Sequence, residues 1–458
     1  MSATRVAVID IGKTNAKLAL VKGTDLSEIA VVTRPNSVLK DAPYPHFDVE
    51  TIWQFLLDAL KEFGAQHGID AISITTHGAC GALIAADGTL AAPILDYEYA
   101  GPDAVSAAYD EIRPGFEETG SPRLPMGLNL GAQIYWQFSQ DPGLRDRTAS
   151  FVTYPQYWAH RLSGALACDV SSLGCHTDLW NPYEVRFSSL VEQLGISNKM
   201  AEAKRATDVL GPLLPEIADQ TGLDPNTPVH CGIHDSNASL LPHIIRRNPP
   251  FSVVSTGTWV IAMTVGGAEV SLDPSRDTLV NVNAFGAAVP SARFMGGREF
   301  EIILGGQGAV CGDDVLSAVA ENGPFLMPAV VRESGPFQGQ LHRWIGSEPE
   351  VGAPERSIAL SFYLAMMTAE CLTLTGHEGP IVVEGPFAAN SEYCTMLAAA
   401  TECRILTAEN ATGTSQGAAM LAVSSNATSK IKVATHRISG DQKPFSVYAK
   451  RWRNAVRQ

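Results

Sequence analysis

Two short strand–turn–strand units set the framework of this chain. In the first, apolar runs at residues 5–9 and 17–21 flank the polar turn Gly12-Lys13-Thr14-Asn15. In the second, runs at 251–255 and 259–265 flank Thr256-Gly257-Thr258. Short β-branched runs joined by a polar, glycine-containing turn read as β-hairpins. One such hairpin opens each half of the chain. The pattern alone leaves open whether this is an internal duplication or the chance recurrence of a common motif. The last third alternates helix and strand: helix at 357–374, strand at 380–384, helix at 391–402, strand at 404–408, and a helix of small residues at 415–424. Such alternation predicts an α/β layer. Upstream, Ile52, Phe55, Leu56, Ala59, Leu60 and Phe63 recur at the spacing of an amphipathic helix over 49–64. Strands are expected at 71–76 and 82–85, and helices at 132–140 and 155–162. The run Arg246-Arg247-Asn248-Pro249-Pro250 ahead of the second hairpin marks the expected boundary, giving domains 1–245 and 246–458.

Composition narrows the range of ligands. The 458 residues carry a formal net charge of -15. Such a balance argues against a general nucleic-acid binder, which needs a field of Lys and Arg along the phosphate backbone. A single nucleotide remains possible, because it needs only a few donors and a metal. None of the eight cysteines has a CxxC partner, which argues against a zinc ribbon, a redox dithiol or a disulfide framework. The first apolar run is too short for a signal-peptide core, and no run approaches 18 apolar residues. The expectation is a cytoplasmic protein with no membrane and no nucleic-acid partner.

The turns suggest phosphate chemistry. Gly12-Lys13-Thr14 is not a P-loop: that motif needs a glycine at position 7, which is Ala7, and a helix where residues 16–21 read as a strand. A strand ending in Asp10, followed by a turn of free N–H groups and a Thr hydroxyl, instead makes an anion-binding concavity. Asp10 would then face a divalent cation, or would merely start the turn. Thr256-Gly257-Thr258 repeats the device without the acid. Two such turns facing each other across a cleft would hold one polyphosphate. In Gly232-Ile233-His234-Asp235-Ser236-Asn237-Ala238, Asp235 reads either as a helix N-cap or as a general base for a substrate hydroxyl. Phosphoryl transfer needs such a base together with in-line positioning and charge neutralisation. His77-Gly78 ends a strand, where α/β proteins bind ligands, although a loop histidine fits equally. Glu384-Gly385-Pro386 and Thr412-Gly413-Thr414-Ser415 are turns or caps, or together bracket a purine.

The order of these pieces resembles the FGGY family of carbohydrate kinases, in the actin–hexokinase–Hsp70 superfamily. Val8-Ile9-Asp10-Ile11-Gly12-Lys13-Thr14-Asn15-Ala16-Lys17 looks like its first phosphate motif. The segment 232–238 resembles that of the catalytic aspartate, and Ser255-Thr256-Gly257-Thr258-Trp259 the second phosphate motif. Residues 381–421 are similar to the adenosine segment. His-Asp-Ser-Asn-Ala-Ser followed by Ser-Thr-Gly-Thr-Trp looks closest to rhamnulokinase-type enzymes. The resemblance implies an α/β fold of two ribonuclease-H-like (actin-like ATPase) domains with an interdomain cleft. It implies ATP and Mg2+ as cofactors and a ketose as acceptor: L-rhamnulose, L-fuculose or a pentulose. Asp235 would be the catalytic base, and Asp10 would act through magnesium. Gly12, Lys13, Thr14, Asn15, Lys17, Thr256, Gly257 and Thr258 would hold phosphates, while Gly385, Asn390 and Gly413 would flank the adenosine. His77, Gly78, His234 and Asp235 would meet the sugar. Two departures stand out: Glu384-Gly385-Pro386-Phe387 replaces a glycine run, and His77 stands where relatives often carry Trp or Gln. A nucleotide-switch protein of the same superfamily would need a partner-binding domain, which the sequence does not suggest. A degenerate sugar-binding regulator would not need Asp10, Thr14 and Asp235 intact.

Overall fold

The computed structural model of the protein describes residues 3–306, 312–408, 413–423, 433–436 and 442–457. The first hairpin pairs Arg5–Ile11 antiparallel with Asn15–Lys22, setting Asp10 opposite Lys17. All but the first residue of Arg5–Ile11 are buried, as in a strand covered on both faces. On one side Arg5–Ile11 runs parallel to Ala71–Thr76, which continues the sheet to Pro228–His230 and Val209–Pro212. On the other side, Asn15–Lys22 pairs antiparallel with Glu28–Pro35. That edge strand alternates exposed and half-buried residues, even though its sequence holds the apolar run Ile29-Ala30-Val31-Val32, which is not among the strands expected above.

The second hairpin repeats the plan. Phe251–Thr256 pairs antiparallel with Val260–Val265 and parallel with Ile381–Glu384. Val260–Val265 pairs antiparallel with Ala288–Phe294, and Ile381–Glu384 runs parallel to Ile405–Ala408. Each sheet thus holds an antiparallel trio of strands whose first strand adds a parallel neighbour; in the second sheet Thr278–Val282 intervenes in sequence before the third strand and lies outside it at the edge. This shared topology is more than one hairpin would produce by chance, and it supports duplication.

The chain divides into two compact units: Met1–Ile245 with Val280–Ala288 and Thr412–Lys430, and Arg246–Leu279 with Val289–Ala411 and Ile431–Gln458. Two segments beyond residue 246 therefore belong to the first unit, which a division at one point in the sequence misses. In the first unit the helix Val49–His67 begins at Asp48, whose side chain accepts from the Thr51 N–H. It packs Ile52, Leu56, Leu60 and Phe63 into the same core as Ile9, Leu18 and Leu20. Burial of each such side chain stabilises by about 1.5–3 kcal/mol. In the second unit the helix Pro354–Leu374 is the core element, with Phe362, Tyr363, Leu364 and Met366 fully buried. It is long and apolar enough to cross a membrane, contrary to the sequence expectation that no segment would be. Most of it is enclosed by the unit's own side chains. The helix expected over 415–424 is shorter, Thr414–Ala419; Thr412 and Ser424 lie outside the described residues.

Candidate active site

In the first unit, the parallel strands Arg5–Ile11 and Ala71–Thr76 carry Asp10 and His77 to their carboxyl ends. The His77 N–H extends the ladder by donating to the Ile11 carbonyl at 2.9 Å. The short strand Ile233–His234 pairs with the end of Ala71–Thr76, so Asp235 opens its helix beside them. The turn after Asp10 is closed by the Gly12 N–H donating to the Asn15 carbonyl at 2.8 Å. Asn36, which the sequence reading passed over, braces it: its Nδ2 donates to the Gly12 carbonyl at 2.8 Å, and its N–H to the Thr14 carbonyl at 2.9 Å. Thr14 and Asn15 stay exposed on the turn.

Asp10 is 9% exposed and strongly held. Its Oδ2 accepts from Thr414 Oγ1 at 2.5 Å and from Ser415 Oγ at 2.9 Å, and Lys17 Nζ lies 3.3 Å away. Thr414 and Ser415 come from the returning segment, which the sequence offers as a turn or cap or as one side of a purine site. That segment reaches Asp10 because Gly417 lets it press on the Asp235 helix: a Cβ there would lie 1.8 Å from the Ala238 carbonyl oxygen. Ser73 adds a hydrogen bond to the Ala418 carbonyl at 2.7 Å. Gly413, expected to flank adenosine, caps this helix and belongs to the first unit.

Asp235 lies among closely packed groups, yet 33% of its side-chain surface is accessible. Burial raises its carboxyl above the usual aspartate range, and the charge of Asp10 adds to this. His77 and the Ser236 N–H, which donates to Oδ1 at 2.6 Å, act in the opposite direction. His234 Nε2 sits 3.1 Å from Asp235 Oδ1. Burial pushes the His234 imidazole down to about 4, so the ring is neutral at pH 7. Its Nδ1 accepts from Asn237 Nδ2 at 3.4 Å, which leaves the proton on Nε2 to donate to Asp235. His234, expected on the sugar, thus serves the carboxylate.

His77 is packed between the rings of Phe47, Tyr97 and Tyr154, with centroids 5.1–5.3 Å away. Burial lowers its pKa, so it too is neutral. Nδ1 donates to the Gly78 carbonyl at 2.9 Å, and Nε2 is buried without a partner among the described residues. With the proton on Nδ1, Nε2 carries a lone pair. Lys13, expected on phosphates, sends its side chain to Asp96 and to Glu98 at 3.2 Å, over the Tyr97 ring. Only its backbone remains available in the turn.

In the second unit, Gly257 and Thr258 stand exposed at the hairpin tip, as Thr14 does in the first. Thr256 does not share that role. Its buried hydroxyl donates to the Glu384 carbonyl at 2.6 Å and accepts from the Phe387 N–H at 3.0 Å. A hydroxyl has one proton, so Thr256 ties the turn to the 384–387 segment rather than holding a phosphate. Gly385 is required there: its φ is +83°, and a Cβ would lie 2.0 Å from the Thr256 carbonyl oxygen. A cavity of about 550 Å3 is lined by Gly257, Thr258, Phe300, Phe387 and Asn390. Its size and mixed lining suit a nucleotide-sized ligand. Asn390 lines it while capping the helix Ser391–Thr401: Oδ1 accepts from the Tyr393 N–H at 2.8 Å, and Nδ2 donates to Ser361 Oγ at 3.0 Å.

Among the described residues no cluster of three or more His, Cys, Asp or Glu forms a metal cage. Magnesium typically takes one or two carboxylates and completes its shell with substrate phosphates and water. Asp10 fits that use, since among the described residues its hydrogen bonds fall on Oδ2, leaving Oδ1 as the candidate ligand oxygen.

Comparison with known proteins bears on both halves. The family model described as FGGY family of carbohydrate kinases, N-terminal domain, matches residues 6–242, and that described as carbohydrate kinase FGGY, C-terminal domain, matches residues 248–430. L-Fuculokinase of Salmonella typhi is 23% identical over 270 residues, 57% of each chain. L-Fuculokinase of Escherichia coli K12 is 24% identical over 274 residues, 56% of each chain. The match spans little more than half the length of these curated relatives. The crystal structure of a carbohydrate kinase from Novosphingobium aromaticivorans is 34% identical, with a TM-score of 0.91 over 100% of this chain and 99% of that one. A xylulose kinase from Lactobacillus acidophilus shares the fold at 15% identity, with a TM-score of 0.78 over 99% and 98% of the two chains.

Proposed function

Because this chain belongs to the FGGY family of carbohydrate kinases, with the two-domain actin-like ATPase fold of that family, we propose that it transfers the γ-phosphoryl group of MgATP to a hydroxyl of a ketose. Asp235 is the general base. The observation that carries this reading is a partly accessible carboxylate, raised by burial, with His77 Nε2, which has no partner among the described residues, in its surroundings. Asp235 takes the proton from the acceptor hydroxyl, whose oxygen forms a bond to the γ-phosphorus as the bond to ADP breaks. His234 and the Ser236 N–H keep the carboxylate oriented. His77 Nε2 accepts a hydrogen bond from a second sugar hydroxyl. The backbone of Gly12 to Asn15, with the Thr14 hydroxyl, and the Gly257–Thr258 turn hold phosphate oxygens. Asp10, fixed by Thr414, Ser415 and Lys17, would hold magnesium through its remaining oxygen; the bound ion neutralises charge on the phosphates. Phe387, Gly385 and Asn390 receive the nucleoside. The likeness to L-fuculokinases favours L-fuculose, with L-rhamnulose, which the sequence resemblance suggests, and pentuloses behind it, and the enzyme acts in the cytoplasm. The test is ADP release from MgATP across a panel of ketoses and polyols, in wild type and in Asp235→Asn. One ketose is expected to be turned over efficiently, and only by the wild type. No turnover of any sugar, or equal turnover by the variant, overturns the assignment.

A further inference from the structure

Trp259 directly follows the Gly257–Thr258 turn, and its indole is held by a residue that no sequence motif singles out. Arg293 lies opposite Ile261 in the antiparallel pairing of Val260–Val265 with Ala288–Phe294. Side chains two apart on a strand share a face, so Arg293 lies diagonal to Trp259, within reach of a long side chain. Its guanidinium carbon stands 4.8 Å from the centre of the Trp259 ring. On its other side, Arg293 Nε donates to Asp277 Oδ1 at 2.9 Å. Asp277 is itself fixed: its Oδ2 accepts from the Gly335 N–H at 3.1 Å, and its carbonyl accepts from the Arg293 N–H at 3.2 Å. The indole is therefore stacked under a cation whose position is set by a buried carboxylate. The turn is closed next to it, where the Gly257 N–H donates to the Trp259 carbonyl at 2.9 Å, and it is backed by the Gly297 N–H donating to the Thr258 carbonyl at 3.2 Å.

We propose that Arg293 is a positioning residue for the Gly257–Thr258 phosphate turn, acting through Trp259. This rests on the kinase reading above. Arg293 does not touch the nucleotide. It holds the indole so that the exposed turn keeps one backbone conformation before ATP arrives, which spares binding the entropy of ordering it. A planar guanidinium is suited to this, since it stacks on an aromatic face while keeping a hydrogen bond in its own plane.

The test is a double-mutant cycle read by MgATP affinity in equilibrium dialysis and by steady-state kinetics, using Arg293→Met, Trp259→Leu and the double variant. Either single variant should weaken MgATP binding about tenfold, the scale of releasing one backbone residue. The sugar KM should stay within twofold. The double variant should bind MgATP no more weakly than Trp259→Leu alone, because the arginine acts only through the indole. Arg293→Lys keeps a charge opposite Asp277 but cannot lie flat on the ring, and it serves if Arg293→Met does not fold; it should show the same loss. Losses that multiply in the double variant mean that Arg293 contacts the nucleotide itself, and they overturn the proposal. So does unchanged affinity in a folded Arg293→Lys. If wild type binds MgATP and the variants bind it equally well, the kinase reading stands and this inference falls; if wild type binds no MgATP, both fall.

Discussion

Replacing Asp235 by Asn separates its two possible roles, helix start and general base. The amide is nearly isosteric, and its oxygen can still accept from the Ser236 N–H at 2.6 Å and from His234 Nε2 at 3.1 Å. The fold and the helix Asp235–Arg246 should therefore survive. What is lost is the capacity to take a proton. General-base catalysis contributes roughly 10²–10⁴ in rate, or about 2.7–5.5 kcal/mol of barrier. The kcat for the best ketose should fall by at least that lower factor, with the KM for ATP and for sugar within about threefold. Stability gives a second reading. Burial raises the Asp235 carboxyl in the folded state, so the folded protein binds its proton more tightly than the unfolded chain does. That stabilisation is full below the unfolded value of about 4 and is lost as pH rises through the folded-state value. Asn carries no such dependence. The variant should be at least as resistant to urea as wild type at pH 8, with its relative advantage shrinking toward pH 4. Stopped-flow or coupled ADP-release kinetics and urea melts at the two pH values measure both. Near-normal kcat in a folded variant refutes the base assignment. A variant markedly less stable than wild type at pH 8 refutes the account of the carboxylate as a desolvated charge.

Three further outcomes are expected. Thr258→Ala and Thr14→Ala should each weaken MgATP binding by about 1.5–3 kcal/mol, the scale of a hydrogen bond to a charged group; unchanged ATP kinetics in either variant removes that turn from the phosphate site. His77→Ala should raise the KM for the best ketose and reduce the ratio of kcat/KM between two ketose epimers, with the KM for ATP nearly constant, because a site built to pair a hydroxyl rejects sugars lacking it; an unchanged epimer ratio excludes His77 from the sugar site. Ser415→Ala deletes a buried donor to Asp10 and should lower the unfolding free energy by about 1.5–3 kcal/mol in urea; a change under about 0.5 kcal/mol shows that Thr414 and Lys17 suffice to hold Asp10.

Much of the framework was legible because it rests on short-range signals. Periodicity located both hairpins, the helix Val49–His67 and the alternating elements of the last third, since apolar spacing and turn residues act within a few positions. The same locality placed Asp10 and His77 at strand ends and Asp235 at a helix start. The edge strand Glu28–Pro35 escaped although Ile29-Ala30-Val31-Val32 is a local apolar run; that Ile29 and Val31 stay exposed on a sheet edge was decided by strand order. Which groups these residues face was settled only by tertiary structure. Asp10 is held by Thr414 and Ser415, about four hundred positions away in sequence, because a late segment folds back into the first unit. Thr256 and Thr258 are two residues apart and chemically alike, yet one hydroxyl is consumed by the Glu384 carbonyl while the other stands exposed. Lys13 lies in a phosphate-like turn, but its charge goes to Asp96 and Glu98. A side chain's hydrogen-bonding capacity is written in the sequence. Its partner depends on which strands the chain brings together, and backbone pairing across hundreds of residues leaves no trace in local composition.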